Sequence, residues 1–320
     1  MTSARQSHTP ATWAVVLAAG EGSRLSALTR DSSGIAVPKQ FCSLNGAETL
    51  LAETLMRAHR VADEERVAVI VAAQHRRWWE SIEQSIPNGH TIVQPMNRGT
   101  ANGILLAALT IARHDPLARV VFLPSDHYVE DEVVLGRALA VAAARALPKG
   151  ELLLLGVEPS SADPELGYIV PRSPCRPLGR SRIRRFVEKP SASVAAKLIG
   201  EGALWNSFVL VAEVATIANL VRSHYPAVVA NFESALAHGP NAIDELYAGL
   251  PLLDFSRHIL QHAQARVSVL RVPECGWSDL GTPHSVAACL GRLPDSVLLA
   301  SASRNASSVS LAVALAAGGM

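Results

Sequence analysis

Two glycines and an arginine follow an apolar run in Leu17-Ala18-Ala19-Gly20-Glu21-Gly22-Ser23-Arg24. Lacking Cβ atoms, Gly20 and Gly22 let the backbone approach a phosphate or a base, and amide N–H groups in such a loop, that of Ala19 included, can face an anion. Arg24 adds a planar, permanently charged fork for phosphate oxygens. The dinucleotide fingerprint is excluded because Leu25 stands where its third glycine belongs, and the P-loop because no G-K-S/T follows. Lys39, in Pro38-Lys39-Gln40-Phe41, is a second cation further along the same loop; taken alone it reads as a surface lysine.

Two aspartates are candidates for metal work. Asp126 follows the apolar run Val120–Leu123 in Pro124-Ser125-Asp126-His127, and open α/β sheets bind ligands just beyond the carboxyl ends of their strands. It either holds a cation there or caps the next turn. Asp279 lies in Gly276-Trp277-Ser278-Asp279-Leu280-Gly281-Thr282. One carboxylate seldom holds Mg²⁺ well, so two from distant segments plus substrate phosphates make the better site. His127 orients a neighbour or is structural, and Trp277 packs the second loop.

Several polar positions lie between them. Gln94 carries one acceptor and two donors, suited to reading a base edge. Gly99 and Thr100 precede a helix whose first amides could face an anion or a base. By themselves Gly167 reads as a turn residue, and Glu188 and Lys189 as a solvated strand end. His258 and His262, four apart, would share a helix face, but lack the zincin glutamate between them and read as surface or packing residues. Arg76-Arg77-Trp78-Trp79 reads as a helix start with packed tryptophans rather than a stacking platform.

These residues need a scaffold that gathers strand ends. Trp13–Ala18, Val67–Ala72, Val120–Leu123 and Leu152–Val157 are short apolar runs that predict strands buried on both faces. Helical patterns over Leu50–His59, Thr100–Arg113 and Val133–Leu147 alternate with them. The expected class is α/β, a Rossmann-like mixed, mostly parallel sheet with helices on both faces. Beyond residue 157, Tyr168–Pro171, Ser181–Val187, Leu204–Val211 and Ala265–Val272 are expected strands. Thr282 caps a helix that takes Pro283 in its first turn. A catalytic domain over 1–294 and a loose Ser/Ala-rich tail over 295–320 are expected.

Composition narrows the function. Hydrophobic residues make up 49% of 320, enough for a large core. Lys+Arg 29 against Asp+Glu 28 leaves a net charge of +1, which offers no field for nucleic acid or an anionic membrane. An anionic ligand must therefore be caught by a local site. Four cysteines without a C-x-x-C pair argue against a thiolate zinc site and a disulfide framework and fit a reducing cytoplasm. The polar N-terminus is not a signal peptide, and no run approaches the ~18 apolar residues of a membrane span.

Taken together, G-x-G-x-R followed by P-K resembles the signature of the sugar-nucleotide pyrophosphorylases, and Gln40-Phe41 is similar to its mannose-1-phosphate guanylyltransferases. The spacing from Arg24 to Lys39 is longer than the family commonly uses, with an insert around residues 31–36. Pro124-Ser125-Asp126-His127 resembles the family's P-A-D-H, Phe186-Val187-Glu188-Lys189-Pro190 its E-K-P motif, Trp205-Asn206-Ser207 its W-N-S segment and Trp277-Ser278-Asp279-Leu280-Gly281 its W-x-D-x-G. Phe208 stands where the family often has glycine. The resemblance covers residues 13 to about 290, with the motifs in the family's order.

It implies a GT-A-like nucleotidyltransferase fold and transfer from a nucleoside triphosphate to a sugar 1-phosphate, with GTP and mannose 1-phosphate favoured. Arg24, Lys39 and Asp126 would be catalytic, Asp126 and Asp279 would hold Mg²⁺, and Ala19, Gly20, Gly22, Gln94, Gly99 and Thr100 would bind the nucleotide. Gly167, Glu188, Lys189 and Asn206 would bind the sugar phosphate, Glu188 through hydroxyls and Lys189 through the phosphate. Neither nucleic acid nor a membrane is an expected partner; a homo-oligomer is open. Thymidylyl or uridylyl transfer to glucose 1-phosphate is the nearest alternative enzyme, and a non-catalytic sugar-nucleotide sensor on the same fold is the alternative outside enzymes. Methylerythritol-phosphate cytidylyltransferases share the first motifs, but fit the Glu188 and Asp279 segments less well.

Overall fold

A computed structural model describes residues 10–83, 86, 90–293 and 309–318. Among these residues nine strands form one sheet: β1 (Thr12–Ala18), β2 (Val67–Ala72), β3 (Thr91–Gln94), β4 (Arg119–Pro124), β5 (Leu152–Val157), β6 (Gly167–Pro171), β7 (Arg180–Glu188), β8 (Leu204–Glu213) and β9 (Val267–Arg271). Their order is β3-β2-β1-β4-β8-β5-β9-β7-β6, with β6 also pairing β8. β7 and β8 run against the other seven, so the sheet is mixed while most strands share one direction.

Alternation along the central strands explains why both faces are covered. In β1, Ala14, Val16 and Ala18 enter one core, and Trp13 and Val15 the other. In β4, Val121 and Leu123 face the first core and Val120 and Phe122 the second. Helices α1 (Leu50–Ala58), α2 (Arg76–Glu83), α4 (Glu132–Ala144), α5 (Ala192–Gly200) and α9 (Pro283–Leu290) pack on the first face; α3 (Thr100–Ala112), α6 (Val214–Arg222), α7 (Pro226–His238) and α8 (Pro240–Gly249) pack on the second. Side-chain caps set several helix starts: Thr49 Oγ1 accepts from Ala52 N, Asp131 Oδ1 from Val133 N and Val134 N, and Thr282 forms a reciprocal box with Ser285.

The short edge strand β3 was not among the expected elements. It has only four residues and its Val93 is exposed, so neither an apolar run nor a clean alternation marks it. A final helix, α10 (Leu311–Gly318), also lay outside expectation. Ser310 bridges Ser43, and the Leu311 side chain is fully buried in the first core. This end of the tail is held by backbone pairing and apolar burial rather than being loose; residues 294–308 lie outside the described residues. No described helix is long and apolar enough to cross a membrane.

Candidate active site

The chain leaves β1 through Ala19–Gly22. Buried Gln40 fixes the path, its Nε2 donating to the carbonyls of Ala18 and Gly20 at 2.9 Å each. Gly22 has φ +62°, and a Cβ there would lie 2.8 Å from the Lys39 backbone nitrogen, so both conformation and contact require glycine. The insert between Arg24 and Lys39 folds on itself. Arg30 bridges Ala36, Asp31 Oδ1 accepts from Ser33 N and Ile35 N, and Val37 N donates to Thr29 O. Asp31 Oδ2 pairs with Arg77 at 3.0 Å, while Arg77 lies over Trp78, whose ring stacks on Phe41. The extra residues thus form a pinned turn, and both ends of the loop return to the site.

Lys39 is buried, contrary to its reading as a surface lysine. Its ammonium meets Asp126 Oδ2 at 2.9 Å and donates to the carbonyls of Asp279 (2.5 Å) and Leu280 (3.2 Å). Three donors find three acceptors, so the cation joins the β4 end to the Asp279 loop from below. A second tie is the antiparallel bridge between Tyr128 and Ser278. Gly281 leaves the room this needs: a Cβ there would be 2.9 Å from Arg24 Nη1 and closer still to Asp279 Oδ2.

Burial pushes the Asp126 carboxyl up, but the Lys39 ammonium, helped by His127 and Arg24, outweighs it and holds the group below its ordinary range. His127 is pushed down to about 4, chiefly by burial and further by Lys39 and Arg57, against the pull of Asp126 and Asp279. Trp277 Nε1 donates to its Nδ1 at 3.3 Å, which leaves the proton of the neutral ring on Nε2, 3.7 Å from Asp126 Oδ1. Asp279 Oδ1 accepts from Gly281 N, and its Oδ2 lies 3.6 Å from Arg24 Nη2. Each aspartate therefore keeps one oxygen without a short hydrogen bond. Among the described residues, no group of three or more His, Cys, Asp or Glu could hold a metal unaided.

A cavity of about 520 Å³ opens at these strand ends. Of the expected residues, Ala19, Gly20, Gly22, Gln94, Gly99, Thr100, Asp126, Glu188 and Lys189 line it. Arg24 stands outside, its side chain 47% exposed, and shares Glu165 Oε2 with Lys189, both at 3.4 Å. Gly167 and Asn206 sit behind Glu188: a Cβ on Gly167 would be 2.7 Å from Glu188 Oε2 and 3.4 Å from Asn206 Cβ. Glu188 is pushed up to about 7 by burial first and the Asp254 carboxylate second, against Lys189, a hydrogen bond from Ser256 and Arg257.

Two expected residues have further duties. Gly99, at φ +87°, is required because a Cβ would collide with the Leu253 carbonyl, which also accepts from Ala101 N. The Thr100 hydroxyl accepts from Phe255 N and donates to Asp254 Oδ2. Both fasten a segment that sequence reasoning missed: Leu252, Asp254, Arg257 and His258 line the cavity wall. His258 Nδ1 accepts from Asp254 N at 2.9 Å within a π-helical turn, so it belongs to this wall rather than to a surface or metal pair. Glu165 was missed as well. Neither stretch carries a local signal, because each is recruited by contacts far along the chain.

The nucleotidyl transferase family model matches residues 13–292. The xanthan biosynthesis protein XanB of Xanthomonas campestris pv. campestris is 30% identical over 284 residues, covering 85% of this chain and 58% of its own. Mannose-1-phosphate guanylyltransferase RfbM of Salmonella typhimurium is 28% identical over 289 residues, covering 85% of this chain and 57% of its own. This chain thus spans less than two thirds of the length of these relatives. The crystal structure of a mannose-1-phosphate geranyltransferase from Thermus thermophilus superposes with a TM-score of 0.77 at 31% identity, over 88% of this chain and 80% of that one. With its motifs in order and the sheet that positions them, the chain belongs to the nucleotidyl transferase family.

Proposed function

We propose that this chain joins a nucleoside triphosphate and a sugar 1-phosphate into an NDP-sugar and pyrophosphate, with GTP and mannose 1-phosphate as the pair. The observation that carries this is one cavity lined by the glycine loop, Asp126, Glu188 and Lys189, with Asp279 and Arg24 tied to its Asp126 side through Lys39. An oxygen of the sugar phosphate attacks the α-phosphorus, and the bond from that phosphorus to the bridging oxygen of the β-phosphate breaks. The pyrophosphate leaves with the electron pair. The nucleophile is already anionic, so no residue needs to remove a proton. Neutral His127, held by Trp277, is assigned the task of orienting Asp126.

The remaining demands are alignment and relief of repulsion between two polyanions. Gly20 and Gly22 admit the phosphates to the backbone, Gln94 is at hand for the base, and Gly99 and Thr100 hold the opposite wall. Arg24 and Lys189 are exposed enough to meet phosphate oxygens, whereas Lys39 acts by fixing Asp126. The free oxygens of Asp126 and Asp279 suit Mg²⁺, which would take its other ligands from substrate and water and supply charge neutralisation. Gly167 and Asn206 shape the sugar end around Glu188. The four free, buried cysteines support a cytoplasmic setting.

The test is pyrophosphate release across nucleoside triphosphates and sugar 1-phosphates with Mg²⁺. The expected best pair is GTP with mannose 1-phosphate; preference for dTTP or UTP overturns the base assignment, and no release from any pair overturns the transferase.

A further inference from the structure

Phe208 has an unusual backbone for its type. It sits in β8 at φ +56°, the left-handed region where a side chain other than glycine's is strained. The pairing of β8 with β5 shows the cause: Leu210 is opposite Leu154 and Asn206 opposite Gly156, so residues 207–209 face Leu155 alone. Such a bulge re-aims a side chain. The bulge is fastened on both sides. Ser207 Oγ donates to Leu155 O at 2.7 Å, and Phe208 N donates to Asn206 Oδ1 at 3.1 Å.

The ring that emerges lines the cavity and rests edge-on against Phe255, with centroids 6.4 Å apart and an interplanar angle of 87°. Phe255 is in turn held by Thr100 through its backbone nitrogen. Phe208 is joined through Asn206 to the group where Gly167 and Glu188 meet, and through Phe255 to Asp254. Both links lead on to Glu188. A residue that only filled the core would have no need of a strained, re-aimed backbone.

Resting on the transferase reading, we propose that Phe208 is a specificity-determining residue of the sugar subsite. Its ring takes up space beside Glu188, so the site accepts plain hexose 1-phosphates and rejects those carrying a bulky N-acyl group. The ring and its brace form a fixed wall, since Phe255 is fully buried and cannot yield.

The test compares mannose 1-phosphate with N-acetylglucosamine 1-phosphate, by kcat/KM and separately by calorimetric binding of each to the protein. In Phe208→Gly, whose φ suits glycine, the preference for the plain hexose should fall about tenfold or more, the scale at which pocket-filling groups discriminate. Phe208→Leu, which still fills the space, should keep the preference within about threefold; it also serves should the glycine variant melt early. An unchanged ratio in Phe208→Gly, by both readouts, overturns the assignment. A wild-type protein that shows no turnover while the binding ratio shifts overturns the transferase reading and leaves the wall standing. Binding of neither sugar phosphate overturns both.

Discussion

Glu188→Gln should leave stability almost unchanged near pH 4.5 and raise it at pH 8. The carboxyl is pushed from 4.5 up to about 7, by burial and then by the neighbouring Asp254 carboxylate. As pH rises above 4.5 the unfolded chain loses this proton, while the folded chain keeps it to about 7. The unfolded state thus binds fewer protons across that window, and stability falls with rising pH. Taken whole, a shift of this size corresponds to ~3 kcal/mol at about 1.4 kcal/mol per pH unit. Because the group borders an open cavity, water screens part of it, and ~2 kcal/mol is the working figure.

Gln resembles the protonated acid and carries no such penalty at high pH. Thermal melts of wild type and variant from pH 4.5 to 8 should therefore diverge by about 4 °C, at about 2 °C per kcal/mol for a chain of this size. Asp254→Asn should remove only part of the wild-type slope, since burial is the larger cause. Parallel melting curves at every pH would refute the reasoning, because they would mean that Glu188 titrates alike in both states. A variant less stable at pH 8 would refute its sign.

Lys39→Met strips one cation from three acceptors and should lower stability by ~3 kcal/mol, the range for buried polar groups left unpaired, and cut kcat about a hundredfold, as loss of preorganised charge does; a wild-type melting temperature would refute the structural role. Asp126→Asn and Asp279→Asn should each remove most Mg²⁺-dependent pyrophosphate release without loss of fold, and the double variant should lose little more, since both act through one ion. Additive losses would show two separate functions. Glu165→Gln should lower KM for the sugar phosphate about two- to fivefold, the scale of an exposed pair, by freeing Arg24 and Lys189; a raised KM would assign Glu165 to the substrate instead.

Much of this was written in local sequence. β2 and β5 have the bounds their apolar runs predict, because strands covered on both faces show as unbroken hydrophobic segments. The glycine loop and Asp126 stood out because each follows an apolar strand with a residue type out of keeping with packing, whereas Glu188 and Asp279 were picked out by the family resemblance and not by their local sequence. What escaped depends on partners remote in the chain. Nothing near Lys39 announces that the carbonyls of Asp279 and Leu280 will surround its ammonium. Nothing near Gly99 announces the Leu253 carbonyl that forbids it a side chain. The wall over residues 252–258 looks like an ordinary loop until Thr100 and Arg98 are seen to hold it, Arg98 through the carbonyl that accepts from Leu253 N.

That dependence also explains where backbone strain collects. Among the described residues four other than glycine have positive φ: Leu178, Lys189, Phe208 and Leu280. Lys189 and Phe208 line the cavity, and Leu280 gives its carbonyl to Lys39. Each such residue costs ~1–3 kcal/mol and persists only where its surroundings over-determine it. Here they do: Gln261 holds Glu188 N just before Lys189, Asn206 holds Phe208 N, and Ser278 and Lys39 hold the two ends of Leu280. Asn206 and Ser278 hold from two residues away, but Gln261 and Lys39 come from distant stretches of chain, so the turns at Lys189 and Leu280 are completed only once the sheet has assembled around them. A site held this way suits the proposed transfer, which needs alignment more than acid–base chemistry. Its parts cannot be read singly, since each geometry is the property of a pair.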